Sequence, residues 1–197
     1  MIKIIAIAGG SGSGKSTLAY GLQELFPTLI EVVHFDDYQK NKDQVSEFEG
    51  MKNWDHPDAI DFEKLVLDLS SLKAGKDVTV MTKSAKYNPD YEQKGRIAHI
   101  IRSKPIIIVE GYMALTNPQA RHLYDYMIFL DLAFESRMKR RTKFINPQYT
   151  QKILLPMHQQ YVEPTKKLAN LVLNVENYTQ KELRAIVIKK LEEKKIL

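Results

Sequence analysis

The sequence predicts an α/β domain, with a central, mainly parallel sheet between layers of helices. Three observations carry that prediction. Short apolar runs rich in Ile and Val alternate with stretches of helical periodicity along the chain, which is the pattern of a parallel sheet with crossover helices. The first such run, IKIIAIA at residues 2–8, is apolar almost throughout, as a strand covered on both faces must be. Glycines and acidic residues stand directly after these runs, at the carboxyl ends where open α/β sheets gather ligands.

Each element follows from its local pattern. Residues 2–8 form the first strand and stop at Gly9. From Ser16 the spacing turns helical, with Leu18, Leu22, Leu25 and Phe26 on one face until Pro27 closes it. Residues 30–35 read as a second strand ending in Asp36 and Asp37, and the polar, turn-rich residues 38–60 as a loop over the site. Residues 60–72 are helical, with Phe62, Leu65, Val66 and Leu69 as the apolar stripe. A short strand at 78–81 is followed by an irregular stretch at 83–95. Residues 104–109 carry the strongest strand signal, and 126–130 give another strand. A basic helix spans 134–144, and a helix interrupted near Pro156 spans 149–161. A last strand at 171–175 precedes an amphipathic tail helix from Thr179.

The 197 residues suit one domain, and the 44% hydrophobic content supplies a substantial core. The chain has no cysteine, which removes disulfides, cysteine-held zinc and thiol nucleophiles. The opening apolar run is too short for a membrane helix, which needs about 20 residues, and it lacks a signal-cleavage pattern. A cytoplasmic enzyme without a membrane partner is expected. The formal net charge is +5. Part of the excess sits in the tail, where Lys189, Lys190, Lys194 and Lys195 surround Glu192 and Glu193, the composition of a solvated helix face. A pocket for a polyanion could hold another part of it; a basic surface for nucleic acid is the competing explanation and the less expected one. The tail helix could pack on its own domain or on a partner, which leaves a homo-oligomer open.

The decisive motif is Gly9-Gly10-Ser11-Gly12-Ser13-Gly14-Lys15-Ser16, which fits G-x-x-x-x-G-K-[ST]. Its glycines let backbone N–H groups wrap a phosphate chain, and the helix that follows adds its positive dipole end. The motif follows a strand and opens a helix, the context it requires. Residues 9–16 with Thr17 are therefore the expected ATP site. Lys15 would reach the β- and γ-phosphates, and the Ser16 hydroxyl would ligate Mg²⁺.

A phosphoryl acceptor must be oriented and its proton removed, and a carboxylate can do both. Asp36, directly after the second strand, is the candidate, with Asp37 its rival by adjacency. Glu110 ends the strongest strand in Val109-Glu110-Gly111, where a carboxylate could support Mg²⁺ beside Ser16 and Asp36, with Gly111 leaving room for phosphates. Asp55, in Asn53-Trp54-Asp55-His56-Pro57-Asp58, could face an acceptor's sugar hydroxyls. Arg137, Arg140 and Arg141 share a helical face. Their planar forks suit a phosphoryl group in transfer, and such a helix belongs to a lid that excludes water. Histidines 34, 56, 99, 122 and 158 show no metal-ligand spacing.

These motifs together resemble the uridine kinase family of P-loop nucleoside kinases, with nicotinamide riboside kinases close by. The resemblance rests on residues 9–16, on His34-Phe35-Asp36-Asp37-Tyr38, on NWDHPDAID at 53–61, on Val109-Glu110-Gly111, and on Pro156-Met157-His158 followed by Tyr161-Val162-Glu163-Pro164-Thr165-Lys166. It implies that Asp36 is the catalytic aspartate and that Asp55 contacts a ribose. Residues 81–87 depart from the family's base-holding segment, where Lys83 and Tyr87 stand as candidates. The resemblance implies a three-layer P-loop NTPase fold with a central, mainly parallel sheet and a small helical lid at about 137–152, in one domain. It implies transfer of the γ-phosphoryl of ATP, with Mg²⁺, to a hydroxyl of a small molecule such as uridine or cytidine. Lys15, Asp36, Arg137 and Arg141 would act in catalysis, Arg140 would join the ATP site, and Asp36, Tyr38, Asp55, Tyr87 and Arg137 would hold the acceptor. Alternatives are nicotinamide riboside, a non-nucleoside metabolite, or an ATP-binding regulatory protein.

Overall fold

The sheet predicted from the apolar runs is present in the computed structural model, which describes residues 1–140 and 146–197. Strand β1 (Lys3–Ala8) leads into helix α1 (Lys15–Leu25), and β2 (Ile30–His34) follows. Helix α2 (Phe62–Lys73) precedes β3 (Val78–Thr82) and β4 (Ile97–Ile101). Then come β5 (Ile106–Glu110), α3 (Pro118–Leu123), β6 (Tyr126–Asp131) and α4 (Phe134–Arg140). Strand β7 (Leu171–Asn174) and helix α5 (Gln180–Glu193) close the chain. The main sheet has the order β2-β5-β1-β6-β7, with every neighbouring pair parallel.

The period-two geometry of a strand divides the core into two layers. Ile4, Ala6 and Ala8 of β1 pack with Leu65, Leu69 and Leu72 of α2. Ile5 and Ile7 face the other way, toward Leu18 and Leu22 of α1 and toward Leu183, Val187 and Leu191 of α5. The tail helix thus covers its own sheet, and each of its buried leucines contributes about 1.5–3 kcal/mol. It starts at a capping box, in which Thr179 and Glu182 satisfy each other's backbone N–H groups.

Three stretches differ from the sequence reading. Strands β3 and β4 form a separate antiparallel hairpin, and β4 was not anticipated because Ala98 and His99 break the β-branched pattern of Ile97-Ala98-His99-Ile100-Ile101. Helix α3 was also unanticipated; Asn117 caps it, accepting from Ala120 N at 2.9 Å. The chain is helical from 147 to 168, without a break at Pro156. Wide π-turns at Thr150–Leu154 and His158–Val162 flank the proline. They carry the helix past a residue that has no N–H to give.

Gly111, expected to leave room for phosphates, lines the cavity beside the loop of residues 9–16, and a Cβ at this position would also lie 2.1 Å from Cβ of Phe35. The missing side chain accommodates that ring's root, which cannot swing aside. Gly111→Ala is expected to destabilise the fold by about 1–3 kcal/mol through overpacking, measured as a lowered urea midpoint at unchanged slope.

Candidate active site

The phosphate loop is closed by its own hydrogen bonds. Ser13 N donates to Gly10 O at 3.1 Å, and Lys15 Nζ lies across the loop, donating to the same carbonyl at 3.0 Å. Its outer side is packed by α4. A Cβ on Gly10 would fall 2.0 Å from a guanidinium nitrogen of Arg137, whose Nε donates to Leu132 O at 3.1 Å. Arg137 is buried, and its guanidinium also lies over the Phe134 ring at 5.3 Å.

The loop opens into a cavity of about 400 Å³, lined by its own residues and by His34, Asp36, Glu110, Gly111, Tyr112, Arg140 and Gln180. Register explains the convergence. β5 pairs with both β1 and β2, so that Glu110 lies level with Ile7 and with His34. Glu110 is buried and accepts from Ser16 Oγ at 3.0 Å, while its other oxygen takes a short hydrogen bond from His34. Burial alone would lower the His34 pKa. The hydrogen bond to Glu110 and that carboxylate's charge outweigh it and raise the value to about 9.

The two adjacent aspartates separate at the turn Phe35–Tyr38. Asp36 faces the cavity. Asp37 is buried the other way and accepts from Lys83 N at 2.8 Å. Burial pushes its carboxyl up, against the opposing pull of that amide. Asp37 therefore ties the β3–β4 hairpin to the turn and leaves Asp36 to the site.

Of the residues singled out from sequence, Ser11, Gly12, Gly14, Lys15, Ser16, Thr17, Asp36, Glu110, Gly111 and Arg140 line this cavity. Gly9, Gly10 and Ser13, also of the loop, are not among the lining residues. Four others lie elsewhere. Tyr38 is buried with its hydroxyl on Asp68 at 2.9 Å, behind the turn. Tyr87 stacks on His99 at 4.0 Å and reaches Gln23 on the side of α1. Arg137 sits against the loop's outer backbone rather than in the cavity. Asp55 accepts from Tyr149 Oη at 2.6 Å, next to Trp54, whose carbonyl accepts from Tyr112 Oη at 2.7 Å. Arg141 lies outside the described residues. Sequence reasoning missed His34, Tyr112 and Gln180; only His34 had a usable signal, its place at a strand end level with Glu110.

The oxygen donors at the Ser16–Glu110 pair, with Asp36 in the same cavity, suit a hard cation that also takes phosphate oxygens and water. Among the described residues no cluster of three or more His, Cys, Asp or Glu side chains offers an all-protein metal cage. Mg²⁺, which typically keeps several waters, needs none.

A model of the phosphoribulokinase/uridine kinase family matches residues 4–181. The chain belongs to that family. Two relatives support the assignment. The uridine kinase of Macrococcus caseolyticus is 37% identical over 185 residues, covering 86% of both chains. That of Chlamydia pneumoniae is 31% identical over 98% of this chain and 90% of its own. Among solved structures, one described as a possible uridine kinase from Bacillus stearothermophilus shares the fold, with a TM-score of 0.66 at 21% identity over 88% of this chain and 89% of that one. Shikimate kinase from Acinetobacter baumannii shares it at a TM-score of 0.54 and 14% identity, over 100% of this chain and 97% of that one. As a family member, the protein is a P-loop kinase.

His158 is half-buried near this loop. Burial, followed by the charges of Arg137 and Lys15, lowers its pKa from 6.5 to about 4. The native state thus holds this imidazole neutral where the unfolded chain protonates it. Stability present above pH 6.5 is lost as the pH falls toward 4. His158→Gln is expected to flatten that part of the profile. Thermal melts of both proteins between pH 7 and 4 test this, and parallel curves would refute it.

Proposed function

We propose that this kinase transfers the γ-phosphoryl group of ATP to a hydroxyl of a nucleoside, with uridine and cytidine as the first acceptors to try, and that it acts in the cytoplasm. The observation that carries the reading is the single cavity in which a phosphate loop, the Ser16–Glu110 pair and Asp36 meet. The names of the relatives support the acceptor class.

The chemistry follows from placement. Lys15 lies across the loop against Gly10 O. Exchanging that carbonyl for phosphate oxygens would neutralise charge that spreads over the transferred group. Backbone N–H groups of the loop that are not taken up within it hold the phosphate chain. Asp36 orients the acceptor hydroxyl and takes its proton as the new O–P bond forms, while ADP leaves with the bridging oxygen's electrons. Ser16 and Glu110 would hold Mg²⁺, which would supply charge stabilisation to the phosphates. Asp55, beside Trp54 and Tyr112, positions the acceptor's sugar. Arg140 and Arg141, in a lid spanning about 137–152, close over the phosphates and exclude water.

The test is ADP release with MgATP across uridine, cytidine, nicotinamide riboside and simple polyols. Asp36→Asn is expected to lower kcat roughly 10²–10⁴-fold while ATP binding, followed by calorimetry, survives. Stimulation by one of these acceptors that persists in Asp36→Asn would refute the role of Asp36. Stimulation by none of them would refute the acceptor class.

A further inference from the structure

The hairpin of β3 and β4 stands outside the main sheet, yet its root is fastened to the turn Phe35–Tyr38, which carries Asp36. Asn88 is buried between the two strand ends and donates to Thr82 O at 3.1 Å and to Gly95 O at 2.8 Å. That bridge steadies Arg96, the residue between Gly95 and the start of β4.

The turn's own hydrogen bonds run out after Asp36. Gln39 N donates to Asp36 O at 3.2 Å, but Lys40 N turns away to Ala59 O at 2.9 Å. Two carbonyls beyond that point are taken by one side chain. Arg96 Nη1 donates to Asp37 O and its Nη2 to Gln39 O, each at 2.7 Å. The Asp37 carboxylate returns the contact, accepting from Lys83 N just after β3 at 2.8 Å. Turn and hairpin are thus joined at three points immediately beyond Asp36, which faces the cavity. A guanidinium suits this task, because its planar fork presents two donors in fixed geometry and stays charged. Hydrogen bonds from a charged donor are also among the stronger ones, and Arg96 is half-buried.

We propose that Arg96 is a positioning residue for the transfer step: by clamping the carbonyls of Asp37 and Gln39 it holds the turn so that Asp36 aims its carboxylate at the acceptor hydroxyl. The inference rests on the reading of Asp36 as the base and adds the residue that aims it. A misplacement of about 1 Å at a reacting group costs roughly 10²-fold in rate, so releasing two carbonyls next to the base is enough to matter. Arg96 is not among the residues that line the cavity, so its loss leaves nucleotide binding intact.

The experiment measures kcat and KM of the full chain with MgATP and uridine for the wild type, Arg96→Met and Arg96→Lys, each also in the Asp36→Asn background. Arg96→Met keeps the aliphatic stem and removes both donors. It is expected to lower kcat roughly 10- to 100-fold with KM for ATP unchanged. In the Asp36→Asn background the same change is expected to cost less than about twofold, because no base is left to aim. A merely structural role would cost the same in both backgrounds. Arg96→Lys keeps the charge without the fork and is expected to recover only a fraction of the loss; it also carries the comparison if Arg96→Met does not fold. Unchanged kcat in Arg96→Met, equal losses in the two backgrounds, or full activity in Arg96→Lys overturns the proposal. Full activity in Asp36→Asn alone refutes the reading of Asp36, and the inference with it. Hydrogen exchange at residues 36–40 needs no acceptor. In Arg96→Met it is expected to quicken roughly tenfold while β1 and β5 keep their protection. If uridine is not turned over, the acceptor reading fails and exchange alone decides the clamp, which an unchanged rate at residues 36–40 overturns.

Discussion

The parallel register of β2, β5 and β1 is the constraint from which the rest of the site follows. Hydrogen bonds between parallel strands fix which residues stand level, and here Ile7, Glu110 and His34 end in one row. The loop after β1, the acid that ends β5 and the turn after β2 therefore open on the same edge. A slip of one residue would turn Glu110 to the opposite face of the sheet. Slippage is resisted by burial on both faces, because Ile107 and Val109 pack in one layer while Ile106 and Ile108 pack in the other. The chemistry at the edge is thus held by apolar contacts below it.

Charge at that edge is balanced in pairs. Glu110 is buried, and an unpaired carboxylate there would be costly. Ser16 and His34 both meet it, and with its pKa raised to about 9 His34 is cationic at neutral pH. Arg137 plays a comparable supporting part for the loop. Its fork fills the space beside Gly10 and bonds Leu132 O, so the backbone meant to wrap phosphate is braced from outside. Neither role needs a ligand to be present.

What the sequence made legible was whatever depends on local order. The loop motif, the helix after it, and the acids that follow β2 and β5 are fixed by neighbours a few residues away. What escaped was side-chain direction set by distant partners. Tyr38 lies next to the Asp36–Asp37 pair but turns toward Asp68 on α2. Arg137 keeps the helical spacing it shares with Arg140, yet only the contact with Gly10 decides that one is buried and the other is not. Gln180 carries no motif at all, and only the packing of α5 on α1 brings it over Gly14.

Two of the segments that support the family resemblance outside the loop prove to be physical partners, which gives the resemblance a structural meaning. The stretch from Asn53 to Asp58 and the helical run 147–168 are about a hundred positions apart, yet they are stitched together repeatedly. Asp55 meets Tyr149 at 2.6 Å, His56 meets Tyr161 at 2.9 Å, and the Asn53 amide meets the sulfur of Met157 at 3.5 Å. The π-turns around Pro156 help make this possible, since widening the helix shifts which side chains share a face. Trp54, between these contacts, accepts Tyr112 Oη through its carbonyl, and Tyr112 lines the cavity. The helical run is thereby coupled to the site through one short loop. A displacement of that run would be felt at Asp55 and, through the Trp54 carbonyl, at Tyr112.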